Sequence, residues 1–549
     1  MHLLSVFLLC ATQVAGVFDE PALKVQNPGL DWTRESFVAS TFQGDQAKPD
    51  QQRFLTEKTK EFAVDGKTLP NVHFHAGESY AGLLPVHSSA AKDDLQELYF
   101  WFFPSEEPLA KKEIVIWLTG GPGCSSIGEL LQENGPISWK PGTFGPVQNP
   151  WSWHRLTNVV WIEQPVGTGF SQGPVTATDE RDVARQFMGF WKAFVDTFDL
   201  HGYKVFVAGS SYSGLFCPYI SSAMLDADDT DYFNVKGMMI FDPSISQRSL
   251  GQQFGVTKTL DYWGPVFTLN KTARAKVEAM DRKCGYSEYV DKYLSFPPSG
   301  IQPADIPRAW NPDNEYIPEC DILSFVAEAE RVANPCFSLY NVLQTCPLAH
   351  DPIGFTDNRL RHPLAGPVYF NREDVKAAIN APMDKEWRFC SREPVFANDI
   401  DNSNNPGPGS LPVIPGIIER TSNVIIGHGL QDFILQSTGT LLGIQNMTWG
   451  GAQGLQVRPD KTLNIPLHPV TETFAGSGEL GVWHSERGLT YFETPMSGHF
   501  VGRDAPFISF RALEVLLGRV KDFGSTAPFT TDYKADDRRY DSVNNIDSD

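Results

Sequence analysis

A chain of 549 residues, 41% hydrophobic and 12% aromatic, can bury a large core, and its even composition suggests one big domain carrying an insertion. The formal charge of −21 argues against nucleic acid and anionic membrane surfaces as partners and suits an acidic extracellular or vacuolar setting. No strong internal repeat is present, and beyond the N-terminus no run of about 18 apolar residues could span a bilayer.

Leu3–Gly16 is a short apolar segment ending in small residues, read as a secretory signal cleaved near Gly16. Residues 17–65 are polar and poorly periodic, an N-terminal arm ahead of a main domain at 66–523. Alternation from Val72 to Phe103 predicts a β-meander. Within it, Gly77–Gly82 reads GESYAG, the form of a strand-to-helix nucleophile turn. The alternating VHFHA before it and the hairpin pattern QELYFWFFP after it leave no room for the helix, so Ser79 is read as structural. His73 and His75 share the face of that predicted strand, but no third ligand stands nearby and no metal site is expected. Glu113–Leu118, EIVIWL, reads as a buried strand. It runs into TGGPGCSSIGELLQENGP, a loop whose glycines let backbone N–H groups turn toward one point.

The rest is organised around Lys204–Gly214, KVFVAGSSYSG. Val205, Phe206 and Val207 fit a buried strand, Gly209 and Ser213 keep bulk out of a sharp turn, and Pro218 to Leu225 continue as a helix with one apolar face. Ser211 stands at that turn, where a hydroxyl is held out over the end of a sheet. A helix is predicted over Asp179–Phe198 before it, and VKGMMIFDPS supplies a strand after it. Between about 247 and 382 the pattern breaks into helices, Pro-rich turns and four cysteines, a cap over the site. Asn423–Ile426 returns to the core and Ala512–Leu517 is a final helix. The polar, acidic segment 524–549 reads as a disordered tail without a transmembrane or lipid-anchor signal. Removing Cys10 with the signal leaves seven cysteines. Cys217, just inside the helix after Ser211, is the candidate free thiol. Cys124, Cys284, Cys320, Cys336, Cys346 and Cys390 could make three disulfides in any of 15 connectivities. Asn270 and Asn446 head the glycosylation sequons.

Five motifs then fall in one order: WLTGGPGCSS, EQPVGTGFS at Glu163–Ser171, GSSYSG, GHGLQDFI at Gly427–Ile434 and SGHF at Ser497–Phe500. Over roughly residues 70–520 the chain resembles the serine carboxypeptidases, particularly the secreted fungal acid type. The resemblance implies an α/β fold, the α/β-hydrolase fold with a helical, disulfide-containing cap. It implies peptide substrates and no cofactor, and it leaves the oligomeric state open. A serine hydroxyl needs a histidine to take its proton and a carboxylate to orient that histidine. Ser211, Asp432 and His499 occur in the α/β-hydrolase order, the last two in loops after the apolar runs SNVIIG and TYFETPM. His428 precedes the acid and is read as a loop residue. The resemblance also implies that the N–H groups of Gly121 and Tyr212 form the oxyanion hole.

In the family the loop reads WLNGGPG and the elbow GESYAG, and that Asn and Glu, with a second Glu, bind the substrate's C-terminal carboxylate. Here Thr119 and Ser210 replace the first two, and Glu133 in LLQENGP is the one matching acid left. The expectation is a weakened clamp of Glu133, Thr119 and Ser210, with little discrimination between free and amidated C-termini and a shallow activity loss toward neutral pH. The chain is therefore read as a secreted, or vacuolar, serine carboxypeptidase-like hydrolase that releases C-terminal residues through an acyl-enzyme. An esterase or acyltransferase on the same triad, or a catalytically silent homologue, are the alternatives.

Overall fold

The computed structural model describes residues 52–531, apart from 88–94, 107–109, 111, 304–305, 307–308, 310–316, 356–366, 405–406 and 469–475. The signal segment, most of the N-terminal arm and residues 532–549 lie outside the described residues. At the centre is a mixed sheet of eleven strands: β1 (Ala63–Val64), β2 (Ser79–Pro85), β3 (Glu97–Phe103), β4 (Glu113–Leu118), β5 (Asn158–Glu163), β6 (Lys204–Ser210), β7 (Asn234–Phe241), β8 (Val424–Gly429), β9 (Lys461–Ile465), β10 (Gly478–Glu486) and β11 (Leu489–Thr494). Their spatial order is β1-β2-β3-β5-β4-β6-β7-β8-β11-β10-β9. The six from β5 to β11 along that order run parallel, and both edges finish antiparallel.

Central parallel strands need two covered faces, which explains the unbroken apolar runs EIVIWL and NVVWIE, every residue of which is buried. Side chains alternate between those faces. Phe100, Phe102, Ile116 and Ile162 join the helices on one side, while Trp101, Trp117 and Trp161 join the C-terminal helix Pro506–Leu516 on the other. After β4 the chain enters a short helix α1 (Ser126–Glu129), capped by Ser125, which widens into a π turn over Leu130–Asn134. Helix α2 (Glu180–Phe198), capped by Asp179, lays Phe187, Phe190, Trp191, Phe194 and Phe198 on the first face, and α3 (Ser213–Asp226) follows β6 onto the same side.

Within the insertion, helices Val256–Tyr262, Lys271–Cys284, Tyr286–Tyr293 and Ile322–Ala333 bury their own core around Val277, Tyr286, Val290, Ile322 and Val326, which meets the main domain at Phe433 and Leu442. The six cysteines pair as Cys284–Cys320, Cys336–Cys346 and Cys124–Cys390; Cys217 is buried and free. No described helix is long and apolar enough to cross a membrane.

Two local expectations are corrected. The predicted strand through VHFHA does not form: His73 and His75 are exposed in irregular chain, and the ladder starts only at Ser79, opposite Val64. Ser79 is buried, accepts a hydrogen bond from Trp101 Nε1 and is followed by strand rather than helix. The tail reading also fails over residues 524–531. Phe529 packs on Trp151 and Phe510, Arg511 lies over its ring, and Thr530 N donates to Glu514 Oε1 at 2.6 Å.

Candidate active site

Ser211 sits between β6 and α3 with φ +63°, a left-handed conformation that costs a non-glycine residue energy and is held here by three backbone hydrogen bonds. Its N–H donates to Phe241 O, and its own carbonyl accepts from Gly214 and Ser244, each at 2.9 Å. Neighbouring chain comes close. A Cβ at Gly209 would lie 2.3 Å from Leu118 O, and one at Gly120 would lie 2.3 Å from Tyr212 N and 2.8 Å from Ser211 Cβ. The glycine loop is thus packed directly on the elbow, with Gly121 (φ +117°) and Tyr212 on its two sides.

Asp432 and His499 reach this corner from the ends of β8 and β11. His499 Nδ1 stands 2.6 Å from Asp432 Oδ2, both residues are buried, and Asp432 Oδ1 accepts from the N–H groups of Ile434 and Leu435. Tyr340, from the Cys336–Cys346 loop, packs at a tilt against the His499 ring, and its carbonyl accepts from the His499 backbone N–H. Burial works against the imidazolium. The Asp432 charge and hydrogen bond, joined by Asp242 and Glu129, overcome it and raise the His499 pKa above its usual value.

Behind Asp432 lies a second buried layer. Asp242 Oδ1 accepts from Gly429 N at 2.9 Å and faces His428 Nδ1 at 3.2 Å, while His428 Nε2 meets Thr440 Oγ1 at 2.7 Å. Burial lowers His428 to about 4, and burial together with the Asp432 charge pushes Asp242 well up. Asp242, His428 and Asp432 are close enough to hold a cation, but burial disfavours the charged forms of Asp242 and His428. Asp242 Oδ1 and both His428 nitrogens already meet neighbours, Asp242 Oδ2 alone being buried without a hydrogen-bond partner among the described residues. His428 is therefore more than the loop residue the sequence suggested.

The carboxylate corner departs most from expectation. Thr119 Oγ1 donates to Glu129 Oε2 at 2.6 Å, Trp117 Nε1 to the same oxygen at 2.8 Å, and Ser210 Oγ to both Glu129 oxygens at 3.0 and 3.1 Å. The two hydroxyls read as substrate-facing donors are thus already committed to an acid that the sequence reading passed over. Four residues on, Glu133 Oε2 accepts from Gly502 N at 3.0 Å, and Oε1 is buried without a hydrogen-bond partner among the described residues. Burial and the Glu129 charge raise Glu133 well above the carboxylate range, and burial raises Glu129 against its three donors. The corner holds two acids, not one. The i, i+4 spacing in SIGELLQEN was the available signal, because it puts both side chains on one helix face.

Of the sequon asparagines, Asn270 is exposed and caps helix Lys271–Cys284, whereas Asn446 is half-buried with Oδ1 accepting from Gln302 N.

A family profile described as "Serine carboxypeptidase" matches residues 70–518. A "Probable serine carboxypeptidase" of Arthroderma benhamiae is 49% identical over 480 residues, covering 85% of this chain and 88% of that one. "Serine-type carboxypeptidase F" of Aspergillus niger is 41% identical over 483 residues, with the same two shares. Among solved structures, a prohormone-processing carboxypeptidase from Saccharomyces cerevisiae superposes with a TM-score of 0.67 at 20% identity, over 85% of this chain and 98% of that one, which shows the shared fold. The chain belongs to the serine carboxypeptidase family, an α/β-hydrolase fold carrying a serine-type carboxypeptidase activity.

Proposed function

We propose that this carboxypeptidase is secreted or vacuolar and removes C-terminal residues from peptides through a Ser211 acyl-enzyme, with His499 as base and Asp432 as its orienting acid. The observation that carries it is the buried 2.6 Å His499–Asp432 contact beside a serine held at positive φ. His499 Nε2 takes the Ser211 proton as Oγ attacks the scissile carbonyl. The N–H groups of Gly121 and Tyr212 receive the developing oxyanion. The imidazolium then protonates the leaving amine, and water, activated the same way, releases the acyl group. The corner that holds Glu133 takes the C-terminal carboxylate, while the Thr119 and Ser210 hydroxyls donate to the neighbouring Glu129. Three disulfides fit an oxidising compartment, and Asn270, exposed at a helix start, is the better placed glycan acceptor.

Ser211→Ala is expected to lower kcat on N-blocked dipeptides by about 10⁴-fold or more and to abolish fluorophosphonate labelling, while Ser79→Ala keeps both. Full turnover by Ser211→Ala, or labelling at another serine, sinks the assignment. Absence of labelling in the folded wild type would instead favour a silent homologue.

A further inference from the structure

We infer that Glu129 is the acid that completes the C-terminal carboxylate site, supplied from the helix after the glycine loop in place of a glutamate at the elbow position held by Ser210. This deepens the proposal that the substrate carboxylate binds beside Glu133. The first support is convergence: donors from three separate places, the end of β4 (Trp117), the loop after it (Thr119) and the elbow (Ser210), all aim at one carboxylate that is 2% exposed. Burying a carboxylate is costly unless charge-assisted bonds offset it, and here three donors offset part of that cost, burial still raising the Glu129 pKa. The substitutions at 119 and 210 are thus of one piece with Glu129. The short hydroxyls leave space for an incoming side chain, and their protons go to it.

The second support is the unpartnered oxygen. Glu133 is 3% exposed, and among the described residues its Oε1 meets no donor or acceptor. A buried carboxyl with one oxygen on Gly502 N and the other idle is stable as the neutral acid, whose O–H then has a proton to offer. Burial raises both acids, but three donors work against it at Glu129 and one backbone N–H at Glu133, so the proton is held more firmly on Glu133, helped by the Glu129 charge. The pair works as a one-proton unit. A substrate carboxylate entering beside it accepts the Glu133 O–H, and the extra negative charge favours uptake of a second proton by the pair. Amides and esters present no charge to draw that proton in. Other groups facing the pair are Arg503, which favours the ionised form of Glu133, Asp504, which opposes it, Lys140, whose ammonium donates to Arg503 O, and His499, whose imidazolium the Glu129 charge stabilises. Because the Glu133 pKa is raised, its proton is present in acid and lost as pH rises through that raised value. Affinity for free acids therefore falls toward neutral pH, the opposite of the shallow profile expected from a lone acid.

The test compares N-blocked dipeptides ending in a free acid, an amide or a methyl ester, from about pH 4 to 8, in wild type, Glu129→Gln and the double variant Glu129→Gly with Ser210→Glu. Wild type should favour the free acid over the ester in acid, with KM for the acid alone climbing as pH rises. Glu129→Gln should cut the acid-to-ester ratio of kcat/KM by about tenfold and flatten the KM profile, since the charge that keeps the Glu133 proton in place for its bond to the substrate carboxylate is lost. The double variant, which moves the acid to the elbow, should recover both ratio and profile, a rescue that a merely structural role would not produce. Fluorophosphonate labelling of each variant reports a folded site. If wild type discriminates but Glu129→Gln keeps the same ratio and pH profile, Glu129 has no such role. If wild type does not discriminate at any pH, the carboxylate reading of this corner falls and the Glu129 assignment goes with it.

Discussion

In the insertion, the ion pairs Lys258–Asp291, Arg282–Glu278 and Lys283–Glu319 face solvent, whereas around Ser211 the acids Glu129, Glu133, Glu180, Asp242 and Asp432 are buried. Among the described residues, none of the five buried acids pairs with a lysine or arginine. Glu129, Glu133, Asp242 and Asp432 are met by hydroxyls, an indole N–H, backbone N–H groups or a histidine, and the Glu180 carboxyl faces Asp401. Solvent-facing pairs contribute about 0–1 kcal/mol each, so the insertion is held by its own apolar core and two disulfides. Buried acids without cations oppose folding at neutral pH and persist where chemistry uses them. One region is built for persistence, the other for proton traffic.

Breaking the staple of the insertion should show the largest stability effect. Replacing Cys284 and Cys320 by serine opens a bridge spanning 36 residues and should cost about 3 kcal/mol in denaturant melts, with dipeptide turnover of the folded enzyme largely kept. A melt matching wild type would mean the apolar core alone holds the insertion.

The next effect sharpens the other side. Glu180, at the start of α2, faces Asp401, which accepts the Tyr212 hydroxyl at 2.7 Å; burial and the Asp401 charge raise Glu180 well above the carboxylate range. A raised folded pKa means stability is fully present below the unfolded value near 4.5 and is lost as pH climbs through the folded value. Each such group contributes a slope of about 1.4 kcal/mol per pH unit in that window. Wild type should therefore lose thermal stability from about pH 5 toward 8, and Glu180→Gln should flatten the slope by about one group's worth. Parallel curves for the two proteins would show that Glu180 ionises normally. The smallest effect belongs to the solvent-facing pairs. Lys258→Ala should change stability by less than about 0.5 kcal/mol at any salt concentration, and a shift of 2 kcal/mol would overturn the contrast between the regions.

The proposed triad could be read from the sequence because Ser211, Asp432 and His499 each follow an apolar strand, and the structure places His499 against Asp432. Buried parallel strands such as EIVIWL were legible for the same physical reason, two covered faces. Glu129 was not, because position-by-position comparison with a motif registers what is missing at 119 and 210 but not an acid arriving from another turn of helix. VHFHA misled because alternation alone cannot say whether a neighbouring strand exists to complete the ladder. Phe529 was lost in a polar tail because one aromatic gives no periodic signal; its role depends on Trp151 and Phe510, distant in sequence. The disulfide pairing likewise depends on proximity that spacing does not encode.

Cys217 has a consequence for how this enzyme dies. Its sulfur is sealed in the first turns of α3, where burial holds the thiol protonated far above its ordinary range, so the native protein offers an alkylating reagent nothing to attack. Unfolding returns that thiol to water and to a pKa near 8.5, in a chain that also carries three disulfides. The thiolate then becomes an internal nucleophile for exchange, and each excursion from the native state risks a shuffled bridge that cannot refold. Heat inactivation should consequently be irreversible and faster in alkali than in acid, so the conditions that favour the buried acids are also those in which this latent thiol does least harm.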